Sequence, residues 1–394
     1  MDLGYSNDDM AFFEEVQTFL DASWKARLPA NGRPSAELVR EFRLLATERG
    51  YLYRAIPKAY GGSEQPADPM RGRIIRECFE KARAPMEVPG AGMSMLIPTL
   101  LEHGTEDQRR MFIPKTILGE YRWAQGYSEP GAGSDLASLK TSGRLDDGRW
   151  VINGQKIWTS QAYSATHMFA LVRTEPKAGK HAGISYLLLE LDQPGISIRT
   201  IHQITGQSEF CEVFFEDAHT PADWIVGTRG QGWQISKTTL KHERSNIGGV
   251  RTLGLLESLW RLARNVELDG RPAAEDPQIR ERMMVLEGYV QAQLCCGYYQ
   301  FAQAVAGGSA GRLPLLNKIA GTRIALEIAQ VAQDILGDRA LELPNHGGVT
   351  RRDPAQWVNQ IFGSLALSIA GGASNIQRNI IAERGLGLPK DEAV

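Results

Sequence analysis

Leu240, Glu243, Ile247 and Val250 recur at spacings of three, four and three residues, one stripe of a helix, and a carboxylate stands within it. The charged neighbours Lys241 and Arg244 fall on other faces. Two readings are open. Either the stripe is partly buried and Glu243 reaches solvent, or Glu243 is a base kept in a dry pocket. A second stretch suited to chemistry is WAQGYSEPGAGSD, residues 123–135. Its glycines free backbone N–H groups to approach a ligand, and the hydroxyls of Ser128 and Ser134 can bond a heteroaromatic ring or an amide. A plain turn between domains accounts for Pro130 and Gly131 equally well.

Other patterns point away from particular chemistries. Residues 307–311, GGSAG, fit the nucleophile elbow, with His242 and His346 available as partners. That elbow needs a strand before it and a helix after it. The preceding FAQAVA is helical in pattern and nothing orders the histidines around Ser309, so a helix–helix connection is expected. Neither GxGxxG after a strand nor GxxxxGK[ST] occurs, which argues against a Rossmann or P-loop nucleotide site. Cys78, Cys211, Cys295 and Cys296 have no metal-ligand spacing, so no metal site is expected and the thiols read as reduced.

Three regions of different periodicity must position these residues. The chain has 394 residues, 42% of them hydrophobic, enough for two or three domains with cores of their own. The first region is helical, as in FFEEVQTFL and AELVREFRLLATERG. The period then changes to two. RWVINGQKIWTS alternates around Asn153–Gly154, a hairpin signal, Asp147–Gly148 suggests another turn, and HMFALVRT, ISYLLLELD, SIRTIHQI and FCEVFFED continue as strands. From Gly232 long helical runs return, beginning with WQISKTTLKHERSNIGGVRTLGLLESLWRLARNV. The expected fold is a multi-domain α+β protein: an N-terminal helical domain (1–122), a central antiparallel β domain (123–231) and a C-terminal four-helix bundle (232–394).

Lys+Arg 44 against Asp+Glu 46 is near neutral and argues against a nucleic-acid or membrane-surface binder. No apolar run is long enough to span a membrane, and the acidic N-terminus lacks a secretory signal, so a cytoplasmic protein is expected.

Four motifs in order along the chain carry a resemblance. YSEPGAGSD, INGQKIWTS and SNIQRNIIAERGLGLP, with HGTEDQRRMFIPKTILGE before them, resemble the acyl-CoA dehydrogenase family of flavoproteins over nearly the whole chain. The resemblance implies an acyl-CoA thioester beside an FAD isoalloxazine. A carboxylate removes the α-proton, the β-hydrogen leaves as hydride to flavin N5, and a trans-2-enoyl-CoA results, as in β-oxidation and related lipid metabolism. Electrons then pass to an electron-transferring flavoprotein. By position, Gln125, Tyr127, Ser128, Gly133 and Ser134 line the flavin, Ser134 also meeting the thioester arm. Trp158, Thr159 and Ser160 lie against the isoalloxazine.

The departures from the family pattern are as informative. Many members carry their base just before the C-terminal SxIQR, where this chain has IAGGASNIQR and places Gly371. A second branch, with members acting on branched or long acyl chains, puts the glutamate on the first bundle helix directly before an arginine. Glu243–Arg244 fits that branch. Glu243 then reads as the base, its pKa raised by desolvation above about 4.3 and toward the working pH. Gly371 keeps a backbone N–H for the thioester carbonyl and leaves room for a bulky acyl group, while Arg244 is a surface cation or part of the CoA site. At the adenosine end the resemblance is weaker. GRPAAEDPQIRERM lacks the family's Phe-Gly, Asp334 stands in place of a glutamine, and Ala373 and Asn375 replace more usual residues. Members assemble mostly as tetramers, and some pair two different subunits with half the flavin sites. The rival readings are therefore a non-catalytic or half-site subunit of such a heteromer, and a flavoenzyme of the same fold with oxidase or other chemistry.

Overall fold

Four of the five N-terminal helices start where a side chain caps them: Ser6, Ser35, Asp68 and Thr105. Helix α1 (Asn7–Ser23) opens on a capping box between Ser6 and Asp9 and buries Phe12, Val16 and Leu20 at four-residue spacing. Helices α2 (Ala36–Glu48), α3 (Pro69–Ala82), α4 (Ile97–His103) and α5 (Glu106–Ile117) follow, with Phe19, Phe42, Tyr51 and Phe79 in ring contact between the first three, Phe19 edge-on to Tyr51 and the Phe42 contacts tilted. Gln108, from the capping box of α5, also donates through Nε2 to the carbonyls of Asp223 and Ile225 at 2.6 and 2.7 Å. One residue thus starts the helix and fixes it to the end of the sheet. This computed structural model describes residues 4–245, 250–341 and 355–390, with the backbone alone for 244, 245, 250, 251, 355 and 356.

The sheet comprises β1 (Trp123–Gly126), β2 (Ser142–Asp146), β3 (Arg149–Ser160), β4 (His167–Arg173), β5 (Ile184–Glu190), β6 (Ile196–Ile201), β7 (Phe210–Pro221) and β8 (Ile225–Val226). Its order is β6-β7-β3-β2-β4-β5-β8, with β1 paired to β4. Pairing is antiparallel except that β1 and β2 run parallel to β4. Strands β4 and β5 are buried on both faces, which is why HMFALV and ISYLLL read as unbroken apolar runs.

The hairpin expected at Asn153–Gly154 is corrected by the structure. The turn is at Asp147–Gly148, with φ of 42° and 74°, and β3 runs straight through Asn153. Gly154, at φ 145°, marks a bulge, and a Cβ there would meet Thr141 Oγ1 at 2.6 Å. Asn153 spends its amide on Asp217 of β7, through bonds of 2.8 and 2.9 Å. Both dipeptides tolerate turn geometry. Pairing with β7 on both sides of the bulge decides between them.

By packing, residues 1–199 with 210–239 form one compact unit, and 200–209 with 240–394 a second. Helix α6 (Gly232–Ser245) continues from the first into the second. The second unit contains α7 (Val250–Asn265), the short hairpin β9 (Glu267–Leu268) and β10 (Arg271–Pro272), α8 (Pro277–Val305), α9 (Asn317–Leu336), α10 (Ala355–Leu367) and α11 (Ser374–Ile380). Leu256, Leu259, Met283, Leu286, Val290, Ile324 and Ile328 form its core. Each contributes about 1.5–3 kcal/mol by leaving water. The long run expected from Trp233 onward is carried by α6 and α7, with 246–249, and so Ile247, outside the described residues. Ser309 lies in the connection after α8, its Oγ accepting from Gly311 N at 3.1 Å, with no strand before it. His346 lies outside the described residues.

Candidate active site

Strand β3 carries its site residues in a broken alternation. Trp158 takes φ 61°, and the β3–β7 register shifts between Lys156 and Thr159. The extra residue turns both Lys156 and Thr159 inward although they are three apart, and leaves the Trp158 indole 57% exposed, edge-on to Phe210 at 6.2 Å. Left-handed backbone at a bulky residue costs about 1–2 kcal/mol and marks a position held by its surroundings. Thr159 is fully buried, and its Oγ1 has no hydrogen-bond partner among the described residues. Ser160, next along, is exposed.

The loop after β1 lies against this strand. Gln125 pairs with Phe169 in the sheet and Tyr127 is buried. Ser128 lends its carbonyl to Ile157 N at 2.9 Å. Glu129 and Ala132 exchange two backbone bonds of 3.0 Å around the exposed Pro130–Gly131. Gly133 and Ser134 are exposed, and a Cβ at Gly131 or Gly133 would meet nothing within 4 Å. Open glycine backbone, an exposed indole and a buried hydroxyl awaiting a partner suit a planar heteroaromatic ring with polar edges. The residues present fit a flavin at its ring end.

Two residues that motif reasoning passed over hold this loop. Lys156 Nζ donates to Glu129 Oε1 at 2.7 Å and to the Tyr127 carbonyl at 3.2 Å. Burial pushes the Lys156 ammonium down to about 8 against the pull of Glu129. Burial pushes the Glu129 carboxyl up, but the Lys156 charge and its hydrogen bonds outweigh that and leave it below the usual carboxylate range. Each charge favours the ionised form of the other. A lysine in the middle of an apolar alternating strand was the available signal.

On α6, Ile235, Ser236 and Thr239 are buried, and Glu243, four residues beyond Thr239, is half-buried on the same face. Thr239 Oγ1 lies 2.9 Å from Thr99 Oγ1 and 3.5 Å from the Tyr186 hydroxyl. Buried hydroxyls thus anchor this helix one turn before its carboxylate. The Arg244 side chain lies outside the described residues.

In the turn before α11, Gly371 and Gly372 take φ of 64° and 96°. Lys318 on α9, itself buried, donates to the Leu367 carbonyl at the end of α10, and Gln377 Nε2 donates to Gly371 O at 3.4 Å. The residues expected at the adenosine end are engaged within the chain. Asp334 pairs with Arg282, and Asn375 Oδ1 accepts from Arg378 at 2.9 Å. Ala373 is half-buried at the start of α11. Among the described residues no cluster of His, Cys, Asp or Glu suits a metal, and no helix is long and apolar enough to cross a membrane.

Family profiles for the N-terminal, middle and C-terminal domains of acyl-CoA dehydrogenases match residues 6–120, 124–218 and 230–386. The chain is 43% identical over 320 residues to acyl-CoA dehydrogenase IpdE1 of Mycobacterium tuberculosis, covering 80% of this chain and 79% of that protein. Its structure superposes on a chain of the Mycobacterium tuberculosis ChsE4-ChsE5 complex with a TM-score of 0.75 at 26% identity, over 99% of this chain and 100% of the other. A steroid ACAD, Tcur3481-Tcur3483, gives a TM-score of 0.76 at 26% identity over the same shares.

Proposed function

Since this chain belongs to the acyl-CoA dehydrogenase family of flavin-dependent oxidoreductases, we propose that it uses FAD to convert an acyl-CoA thioester into its trans-2-enoyl-CoA, with Glu243 as the base. The observation that carries this reading is the half-buried Glu243 on the inward face of α6 in a chain whose other family position for a base holds Gly371. Glu243 takes the α-proton. The Gly371 N–H donates to the thioester carbonyl and stabilises the negative charge that develops on its oxygen. Bound FAD supplies the acceptor for the β-hydride at N5. The Thr159 hydroxyl, Ser160, Ser128, Ser134 and the backbone around Gly133 hold the flavin ring, with Gln125 and Tyr127 behind them. Trp158 covers its face against water. Arg244 serves the CoA moiety, and an electron-transferring flavoprotein takes the electrons onward.

A bulky or branched acyl group is favoured, because glycine at 371 removes a side chain beside the thioester and because the chain resembles a steroid ACAD. We place the domain boundaries at 122/123 and 231/232 and read the assembly as a tetramer. A second reading, one subunit of a heteromer with an incomplete adenosine end, is favoured by the likeness to ChsE4-ChsE5 and by Asp334, already paired with Arg282.

The test is a visible spectrum of the purified protein, then anaerobic addition of straight-chain, α-branched and steroid side-chain acyl-CoAs. Bleaching of a flavin band by a bulky thioester is expected. A flavin that no acyl-CoA reduces would sink the dehydrogenase reading, and a colourless protein that FAD cannot reconstitute would favour the heteromer.

A further inference from the structure

Three stretches of backbone meet around one buried side-chain pair. From the loop, Tyr127 O accepts from Lys156 Nζ at 3.2 Å, and Glu129 Oε1 accepts from the same ammonium at 2.7 Å. From the segment before β2, Lys140 N and Thr141 N donate to Glu129 Oε2 and Oε1 at 2.6 and 2.9 Å. From β3, Ile157 N, next to Lys156, donates to Ser128 O at 2.9 Å, and Gln155 O accepts from Thr141 Oγ1 at 3.2 Å. Lys156 is 0% exposed and Glu129 8%.

A pair of this kind is a poor device for stability alone. Desolvating two charges costs about as much as their attraction returns, and an apolar pair of the same volume often serves as well. What it offers is direction. The carboxylate takes two backbone donors from the segment before β2 and the Lys156 ammonium from β3 at once, and that ammonium ties a loop carbonyl to the strand that bears Trp158 and Thr159.

We propose that Lys156 and Glu129 are positioning residues for the cofactor, a buried ionic brace that sets the 127–134 backbone in register with residues 158–160. The inference rests on the flavin reading above. It goes beyond that reading by assigning ring placement to two residues that need not touch the ring. The brace acts by holding Ser128 and the glycine turn at one height along β3, so that loop donors and the Thr159 hydroxyl address the same plane.

The experiment compares wild type, Lys156→Met and the neutral pair Lys156→Met/Glu129→Gln in the full-length chain. Three readouts are taken: FAD affinity by titration of the apoprotein, the shape of the bound-flavin visible band, and amide hydrogen exchange at 128–132, 140–141 and 157–158. Lys156→Met is expected to weaken FAD binding by about tenfold or more, to blunt the resolved flavin band and to release the amides of Lys140, Thr141 and Ile157. The neutral pair, which leaves no charge buried, is expected to recover the melting temperature but neither the flavin affinity nor the band shape. Should Lys156→Met fail to fold, the neutral pair carries the same comparison. Recovery of flavin affinity together with melting temperature in the neutral pair would overturn the proposal, leaving a merely structural pair. So would wild-type affinity in Lys156→Met. A wild type that binds no flavin would overturn the flavin reading instead, and the brace would still stand or fall on whether those amides lose protection selectively.

Discussion

The loop 127–134 and the turn 368–373 are held in opposite ways. In the first, side chains do the holding: a buried carboxylate takes two backbone N–H groups, and a buried ammonium takes a carbonyl. In the second, the backbone carries the proposed chemistry and the bracing reaches it from outside. Lys318 and Thr322 on α9 hold the Leu367 carbonyl, Ser374 N holds Ser368 O, and Gln377 holds Gly371 O. Where a side chain contributes the function, changing it changes the site. Where a backbone N–H contributes it, the side chain is free to vanish, as proposed here for Gly371.

The largest effects should fall on the residues these two segments flank, and should separate the proposed base from the proposed flavin contact by readout. Glu243→Gln is expected to lower turnover about 10²–10⁴-fold with flavin and acyl-CoA binding kept, because general-base catalysis contributes on that scale. Thr159→Val, isosteric but without the hydroxyl, is expected to weaken flavin binding about tenfold, with a far smaller effect on the rate of the loaded enzyme. Stopped-flow reduction and flavin titration on both variants distinguish the cases. If Glu243→Gln reduces flavin at the wild-type rate, the base lies elsewhere.

This contrast also explains what could be read from the sequence. YSEPGAGSD and INGQKIWTS were legible through the family resemblance they carry, since composition alone reads the first equally well as a turn. The long helices, the longer strands and the fold class were legible from period, whereas the short β1 and β2 were not. The Asn153–Gly154 bulge was not, since its geometry depends on β7 pairing across it and on Thr141 closing against Gly154. The left-handed Trp158 was equally hidden, so simple alternation could not show that Lys156 and Thr159 both point inward. Glu129–Lys156 is a long-range pair that neither motif contains by itself. The bracing of Gly371 had no sequence signal at all, because Lys318 and Gln377 bond to carbonyls.

An intermediate effect should appear as acid sensitivity of the sheet unit. His167 is buried among Tyr121, Trp123 and Trp224, and its Nε2 has no hydrogen-bond partner among the described residues. Burial, with a smaller push from Lys115, lowers its pKa from 6.5 to about 4. Below its ordinary value the unfolded chain binds a proton that the folded chain refuses, so stability falls as pH drops from about 6.5 toward about 4. The loss reaches roughly 3 kcal/mol on the free-energy equivalent of such a shift. His167→Phe should flatten that part of the pH–melting curve and leave the neutral-pH melting temperature close to wild type. An unchanged acid limb in the variant would move the sensitivity to other groups.

The smallest effect tests the backbone half of the contrast. Gly371 sits at φ 64°, where a Cβ adds strain, so Gly371→Ala should cost about 1 kcal/mol of stability. Gly133 has open space around its missing Cβ and is absent from the positive-φ positions, so Gly133→Ala should leave melting unchanged. Function should separate the two variants by readout. The alanine at 133 should act on flavin affinity, because its methyl occupies the space that the ring is proposed to approach. The alanine at 371 should act on kcat, because strain is relieved by rotating the very N–H that is proposed to meet the thioester. Equal melting of the two variants would mean that the 368–373 turn is not held in its left-handed form. A Gly371→Ala enzyme with wild-type kcat would mean that its N–H does not stabilise the reacting carbonyl.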